Sequence, residues 1–243
     1  MLSVSSLRAT TRLLIVAGLC AGCATPQFDR SVAFQIRGNL PVVDAELEGR
    51  PVSFVIATAL PNSVLDGERA RAIGFEPSRW RSPVFFGNLA GTRVSPVVIE
   101  LHDAIPADGL LGADAWRGRT LTLDYRRSLA ILSPPGPIPE GFYSWSYTGP
   151  PRISVTLNGI VLPAIVDSAI PDTAIIPEVL LDEGEGEGPR RRVNLEIAGV
   201  RFDDLDVLSA PTGDIRIGNR ILSRFLVRID FDHRTVALWH DSR

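Results

Sequence analysis

Two stretches of the chain, 110 residues apart, carry the same pattern of apolar, turn and hydroxyl residues. The later stretch, residues 153–173, reads ISVTLNGIVLPAIVDSAIPDT, and the earlier one, residues 43–63, reads VDAELEGRPVSFVIATALPNS. Each pattern predicts two strands that are joined by a tight turn, with a loop after the second strand. The later loop carries Asp167, whereas the matching position of the earlier loop is Ala57.

The correspondence continues further along the chain in the same order. With an offset of 106, Ile217-Gly218 falls on Leu111-Gly112, and residues 227–231 fall on residues 121–125. Three matched segments in one order predict an internal two-fold repeat. A chain of 243 residues can form two small lobes, and we expect these lobes to pack together with a cleft between them.

Most of the remaining sequence also predicts strands, because apolar and polar residues alternate between turn signals. The segment 66–74 is the best candidate for a helix, since Asp66 can cap its start and Gly74 can end it. Residues 120–132 and 225–239 predict hairpins, and residues 108–119 predict a tight apolar loop followed by a short helix.

Residues 133–151, SPPGPIPEGFYSWSYTGPP, are rich in proline and glycine and predict a linker. The predicted fold is therefore all-β, with two homologous β-barrel lobes, a central cleft and few short helices. The first lobe, with a short tether, covers residues 24–132, and the second covers residues 152–243.

The N-terminus predicts an export signal. Arg8 and Arg12 precede an apolar run at 13–22, LLIVAGLCAG, which is too short to span a bilayer. The small residues before Cys23 make residues 1–23 resemble a bacterial lipoprotein signal, with Cys23 as the lipidated first mature residue. This resemblance implies a lipid anchor in the bacterial cell envelope, at the outer membrane and facing the periplasm. The alternative is an ordinary secretory signal without a lipid.

Composition excludes several classes of function. The net charge is −3 and no basic region dominates, so we expect no nucleic-acid partner. The chain has no lysine, which excludes Schiff-base chemistry. Its two cysteines, Cys20 and Cys23, both precede the predicted lobes, and its three histidines lack metal-ligand spacing. We therefore expect neither a metal nor a cofactor.

The repeated pattern resembles a known protein family. An apolar strand that ends in aspartate and a hydroxyl residue, followed later by two apolar residues and glycine, occurs twice in pepsin-like and retropepsin-like aspartic proteases. The strings DGLLGADAW, LTLDYRR, IGNRIL and RIDFDHR make the chain similar to bacterial retropepsin-like proteins in particular. The resemblance covers roughly residues 34–239.

This resemblance implies a catalytic pair that is incomplete here. Enzymes of the family hydrolyse peptide bonds with two aspartates that share one proton across the lobe interface. Asp167 is the candidate catalytic acid and Ser168 the hydroxyl that braces it, whereas the first copy keeps Thr58 but has Ala57 in place of the aspartate. Because alanine can neither accept nor donate the proton, the chain is expected to lack protease activity. The alternative role for Asp167 is that of a buried structural acid.

The resemblance also implies which residues line the cleft. In both copies alanine replaces the glycine of the family motif, and a larger apolar side chain follows it. The expected lining consists of Ala59, Leu60, Leu111, Gly112, Ala169, Ile170, Ile217 and Gly218.

Three functions remain open from the sequence. The first is a non-catalytic envelope lipoprotein that binds an extended peptide or a partner protein in the cleft. The second is an active aspartic endopeptidase that uses Asp167, either in a homodimer or with a single acid. The third is a purely structural envelope protein in which the cleft is closed.

Overall fold

A computed structural model of the chain describes residues 30–75, 82–85, 92–102, 104–181 and 189–241. The predicted signal segment and Cys23 lie outside the described residues. The fold is mostly β with few short helices, as the sequence predicts. In the described part of the chain, no helix is both long enough and apolar enough to cross a membrane.

In the first half of the chain, the described residues form eleven strands. They are β1 (Arg30–Ala33), β2 (Gln35–Arg37), β3 (Leu40–Leu47), β4 (Arg50–Ile56), β5 (Val64–Asp66), β6 (Ser82–Phe85), β7 (Thr92–Val94), β8 (Val97–Ile99), β9 (Gly109–Leu111), β10 (Thr120–Asp124) and β11 (Leu129–Ser133). Helix α1 (Gly67–Ile73) follows β5, and a 3-10 helix, Ala113–Trp116, follows β9.

In the second half, the part of the chain that the structure describes forms nine strands. They are β12 (Tyr143–Ser146), β13 (Arg152–Leu157), β14 (Ile160–Val166), β15 (Ala174–Pro177), β16 (Arg190–Ile197), β17 (Val200–Ala210), β18 (Ile215–Ile217), β19 (Leu226–Asp230) and β20 (Thr235–Trp239). A 3-10 helix, Glu178–Leu180, follows β15, and helix α2 (Asn219–Leu222) follows β18.

The two halves have the same strand order. In the first half, β6, β3, β4, β9, β5 and β8 are neighbours in that order, and in the second half β16, β13, β14, β18, β15 and β17 are. The loop that follows β4 carries Ala57, and the loop that follows β14 carries Asp167; we call these the first and the second site loop. In each half the strand before the site loop has a parallel partner: β4 pairs with β9, and β14 pairs with β18. This agreement places the ends of β4 and β14 in equivalent surroundings.

The halves differ in how their sheets close. In the second half, the eleven-residue strand β17 pairs with both β15 and β16, which closes a six-stranded barrel. In the described residues of the first half, the corresponding positions are taken by two short strands, β7 and β8, and the eight-stranded sheet stays open. The prediction of two barrels is therefore correct only for the second half as far as the structure describes it.

A third sheet joins the halves. Its order is β1, β11, β10, β19, β20 and β12, and its central pair, β10 with β19, brings one strand from each half together. The apolar side chains Leu121, Leu123, Val227 and Ile229 of this pair are fully buried. They belong to one apolar cluster that runs through both halves.

Several local predictions are confirmed. The carboxylate of Asp66 accepts hydrogen bonds from the amides of Glu68 and Arg69 at the start of α1, and Gly74 ends that helix in the left-handed conformation. Both predicted hairpins form, as β10–β11 and β19–β20. Two predictions need correction. The linker 133–151 contains β12, which pairs with β20, and the apolar segment 109–111 is strand β9 rather than a loop.

Gly112 and Gly218 are matching positions at which another backbone segment approaches closely. A Cβ atom on Gly218 would lie 2.3 Å from the carbonyl oxygen of Asp172 and 2.9 Å from that of Ile170. A Cβ atom on Gly112 would lie 2.5 Å from the carbonyl carbon of Asn62. Both positions therefore need glycine because backbone atoms occupy the space of a side chain.

We expect Gly218→Ala to lower the free energy of unfolding by roughly 1–3 kcal/mol, because the added methyl group displaces backbone atoms of the neighbouring loop. Urea unfolding of the purified variant measures this change. Gly136→Ala is the matched control, since its Cβ would meet no atom closer than 3.9 Å. Equal unfolding midpoints for Gly218→Ala and the native chain would contradict this account of the loop.

Candidate functional site

The loops after β4 and β14 have the same backbone hydrogen bonds. The amide of Ala57 donates to the carbonyl of Leu111 at 2.9 Å, and the amide of Asp167 donates to the carbonyl of Ile217 at 3.0 Å. These bonds extend the parallel pairings of β4 with β9 and of β14 with β18. Ala57 and Asp167 therefore occupy equivalent places, as the sequence match predicts.

Thr58 and Ser168 tie the two loops directly to each other. The amide of Thr58 donates to Oγ of Ser168 at 3.1 Å, and the amide of Ser168 donates to Oγ1 of Thr58 at 3.1 Å. Each hydroxyl also donates across the junction, Thr58 to the carbonyl of Val166 at 2.7 Å and Ser168 to that of Ile56 at 2.6 Å. Both side chains are completely buried, so these reciprocal bonds fix the two loops side by side.

Asp167 is buried and both of its carboxylate oxygens have partners. Oδ1 accepts the amide hydrogen bond of Ala169 at 3.0 Å, and Oδ2 accepts one from Nη1 of Arg216 at 2.7 Å. The Asp167 side chain is 5% exposed, whereas that of Arg216 is 44% exposed. The guanidinium thus lies at the surface and pairs with a carboxylate beneath it.

The position equivalent to Asp167 offers no second acid. Ala57 is completely buried, and among the described residues no carboxylate forms a hydrogen bond with Asp167. A catalytic aspartate pair needs two adjacent carboxylates so that one is protonated while the other activates water. Here one carboxylate is paired with a cation instead, which is the arrangement of a structural ion pair.

Sequence reasoning missed Arg216. This residue lies on β18 opposite Ile165 of β14, two positions before Asp167. Its signal was available, because a charged residue between the apolar Ile215 and Ile217 must face the other side of the strand. Knowing that this side also carries Asp167 required the parallel pairing of β14 and β18.

Sequence reasoning also missed the link between Tyr125 and Asn219. The hydroxyl of Tyr125 donates to Oδ1 of Asn219 at 2.6 Å, and Nδ2 of Asn219 donates to the carbonyls of Ser168 and Ile170 at 2.7 and 3.1 Å. Burial raises the pKa of Tyr125 and the nearby Asp167 raises it further, so the hydroxyl remains a neutral donor. These hydrogen bonds stabilise the second loop from its buried side.

The predicted cleft-lining residues divide into two groups. Leu111 and Ile217 are completely buried, Gly112 and Gly218 lie beside them in the interior, and Ile170 is buried as well. These five lie in the interior because the short strands β9 and β18 lie inside their sheets. Ala169 packs against an apolar cluster of the first half formed by Leu40, Val42 and Val55.

Ala59 and Leu60 are the predicted lining residues that do face open space. Both line a cavity of about 530 Å³ between the first site loop and the second half of the chain. No group of three or more metal-ligating side chains is present in the described ranges.

A second buried acid, Asp230, holds the turn between β19 and β20. Its Oδ1 accepts amide hydrogen bonds from Asp232 and His233, and its Oδ2 lies 2.9 Å from Nδ1 of His233. Burial acts to raise the pKa of Asp230, but the hydrogen bonds from His233 outweigh it and the pKa lies below its ordinary value. The same carboxylate raises the pKa of His233.

We expect Thr58→Val to lower the free energy of unfolding by roughly 2 kcal/mol, because the buried amide of Ser168 and carbonyl of Val166 lose their partners. Ser168→Ala should have a similar effect. In a double-mutant cycle read by urea unfolding, the two losses should not add, because the two hydroxyls lie 3.3 Å apart in one buried network. Additive losses would contradict direct coupling of the loops, and Thr156→Val on β13 is the control substitution.

Asp230→Asn should return the pKa of His233 to near its ordinary value of 6.5. The stabilising effect of protonated His233 is present below that value and is lost as pH rises through the raised pKa. The effect of Asp230 is present above its ordinary pKa of 3.8 and is lost as pH falls through the lowered one. The free energy of unfolding of the native chain should therefore exceed that of the variant by the largest amount at about pH 4–6.5, between the ordinary pKa values of the two groups.

An NMR titration of the His233 ring measures its pKa in both proteins, and thermal unfolding across this pH range measures the difference in stability. An unchanged pKa of His233 in the Asp230→Asn variant would show that the Asp230 carboxylate does not raise this pKa. His102 serves as an internal reference, because it lies on a different turn.

In comparisons with known proteins, no family model matches the chain, and a search of curated proteins finds no match either. The function therefore has to be inferred from the arrangement of the chain's own residues.

Proposed function

We propose that the chain is a non-catalytic protein of aspartic-protease-like fold that binds an extended peptide or a segment of a partner protein. The observation that carries this proposal is the state of Asp167, which pairs with Arg216 and has Ala57 at the equivalent position. Aspartic protease chemistry needs two adjacent carboxylates, and Asp167 is instead hydrogen-bonded to the amide of Ala169 and to Arg216.

The retained frame supports a binding role. Thr58 and Ser168 still hold the two loops together, and the two halves keep matching strand orders around them. Beside the first loop, Ala59 and Leu60 border open space that can receive a ligand. A purely structural protein would have no need of this cavity, which favours binding over the structural alternative.

The active homodimer is less well supported. In such a dimer, two copies of the Asp167 loop would face each other through their Ser168 residues. Ser168 instead exchanges its hydrogen bonds with Thr58 of the same chain, and both residues are completely buried. A second copy of the loop could bind there only if the two halves of the chain separated.

The N-terminal sequence supports a location for this binding function. The apolar run at 13–22 and the small residues before Cys23 are typical of an exported lipoprotein. We therefore place the proposed binding protein on a lipid anchor in the bacterial cell envelope, at the outer membrane and facing the periplasm.

We expect the purified chain to leave a diverse library of peptides uncleaved between about pH 3 and 7, because aspartic protease chemistry needs a second carboxylate. Ala57→Asp alone should also stay inactive, since Arg216 still holds Asp167. Only Ala57→Asp combined with Arg216→Leu, Ala59→Gly and Ala169→Gly should gain detectable cleavage. Mass spectrometry of the digests measures cleavage.

Cleavage by the native chain would contradict the proposal if a statine-type inhibitor blocked it and Asp167→Asn abolished it. Arg220→Leu is the control for the arginine substitution, because Arg220 is exposed and does not pair with Asp167.

A further inference from the structure

The cavity beside the first site loop has a composition that suggests a ligand. Its volume of about 530 Å³ is typical of small-molecule and side-chain sites. Apolar groups of Leu60, Pro151 and Phe231 form part of its wall, together with the ring of Tyr147. Arg117 and Arg234 complete the wall with two exposed cations.

The equivalent space beside the second loop is closed. There the amide of Phe34 donates to the carbonyl of Ser128, just as the amide of Tyr147 donates to that of Arg234 on the cavity side. The rings of Phe34 and Tyr125 are in edge-to-face contact at 5.6 Å, and Tyr125 also donates to Asn219. Asn219 and Tyr125 thus fill this side.

Ala113 and Phe231 stand at the matching positions of the cavity side. The amide of Ala113 donates to the carbonyl of Leu60 at 2.7 Å, as that of Asn219 donates to the carbonyl of Ile170 at 2.9 Å. Ala113 has no side chain that could hydrogen-bond to the first loop as Asn219 does to the second. Phe231 lacks the hydroxyl with which Tyr125 donates to Asn219. Both Ala113 and Phe231 line the cavity.

The charges of the two sides differ as well. Arg234 matches Ser128, and Arg117 matches Ser223 at the offset of 106. Neither guanidinium has an ion pair or a hydrogen bond with another described residue. Both guanidinium groups are therefore available at the cavity wall to pair with an anionic group of a ligand.

The cavity wall also contains the polar residues Asp114, Tyr147 and Asp232. Asp114 is already used, because its Oδ1 accepts hydrogen bonds from the amide and hydroxyl of Ser63 at 2.8 and 2.7 Å. Burial raises the pKa of Tyr147 to about 12, and the nearby Asp230 raises it as well, so its hydroxyl stays a neutral donor. This hydroxyl has no hydrogen bond within the described ranges. Asp232 offers an acceptor for an N–H group.

We infer that this cavity binds the C-terminal residue of a peptide whose last side chain is apolar. The carboxylate pairs with Arg117 and Arg234, the side chain packs against Leu60 and Phe231, and the amide N–H donates to Asp232. This inference rests on the proposed peptide-binding function and names the end of the peptide that is recognised. The guanidinium pair supplies the strongest contacts, because charge-assisted hydrogen bonds are shorter and stronger than neutral ones.

The test uses arrays of hexapeptides that carry either a free C-terminal carboxylate or a C-terminal amide. The best free-acid peptide is then labelled at its N-terminus, and its affinity for the purified full chain is measured by fluorescence anisotropy. We expect arrayed binders to end in Leu, Ile, Val or Phe. The amide form should bind about tenfold more weakly or worse, as expected for loss of a charge-assisted contact.

Two variants localise the site. The double variant Arg117→Gln, Arg234→Gln should bind the free-acid peptide about tenfold more weakly, so that the acid and amide forms bind with equal affinity. Ala113→Asn with Phe231→Tyr copies the closed side and should abolish binding by filling the cavity. Arg220→Gln, an exposed arginine beside the closed side, is the control and should bind like the native chain.

The outcomes separate the two proposals. If no arrayed peptide binds, both the peptide-binding function and this inference are wrong. If peptides bind but acid and amide forms are equal in the native chain, peptide binding stands and the carboxylate site is wrong. Binders with polar last residues would overturn the apolar part of the inference. The comparison of acid with amide uses the native chain, so it is decisive even where a variant fails to fold.

Discussion

The reciprocal hydrogen bonds between Thr58 and Ser168 determine how the rest of the site can be arranged. Each residue supplies an amide donor and a hydroxyl, and each of these groups has its partner in the other half of the chain. The set is completely buried, so the loss of one hydroxyl leaves one buried amide and one buried carbonyl without a partner, at a cost of about 1–3 kcal/mol for each group. This cost explains why both hydroxyl residues are present although only one loop carries an acid.

The ion pair of Asp167 follows from this arrangement. The loops are held so tightly that the carboxylate is buried whether or not a second acid lies beside it. A buried carboxylate without a partner is costly, and a neighbouring cation removes most of that cost. Arg216 can act in this way because its side chain stays 44% exposed while its Nη1 reaches Oδ2 of Asp167. Asp167 also holds its own loop through the amide of Ala169, which gives it a structural role that does not depend on catalysis.

The sequence predicted those features that depend on local pattern and on the match between the two halves. The turns, the capping of α1 by Asp66 and the equivalent places of Ala57 and Asp167 are of this kind. It could not predict the shared sheet, because the pairing of β10 with β19 joins residues about 106 positions apart without any local signal. The interior position of Ile217 was missed for the same reason, since burial on both faces depends on the strands that lie on either side.

The differences between the two sides of the junction bear most directly on function. On one side Asn219 links Tyr125 to the backbone of the second loop, and the space is filled by polar contacts that are all satisfied. On the other side Ala113 and Phe231 leave an opening, and Arg117 and Arg234 bring charge to it without a described partner. The charges of exposed cations without an ion-pair partner contribute little to stability, because water solvates them in the folded and the unfolded chain. The side with Asp167 is therefore filled by its own hydrogen bonds, whereas the side with Ala57 has the open space and the charge on which the proposed ligand site depends.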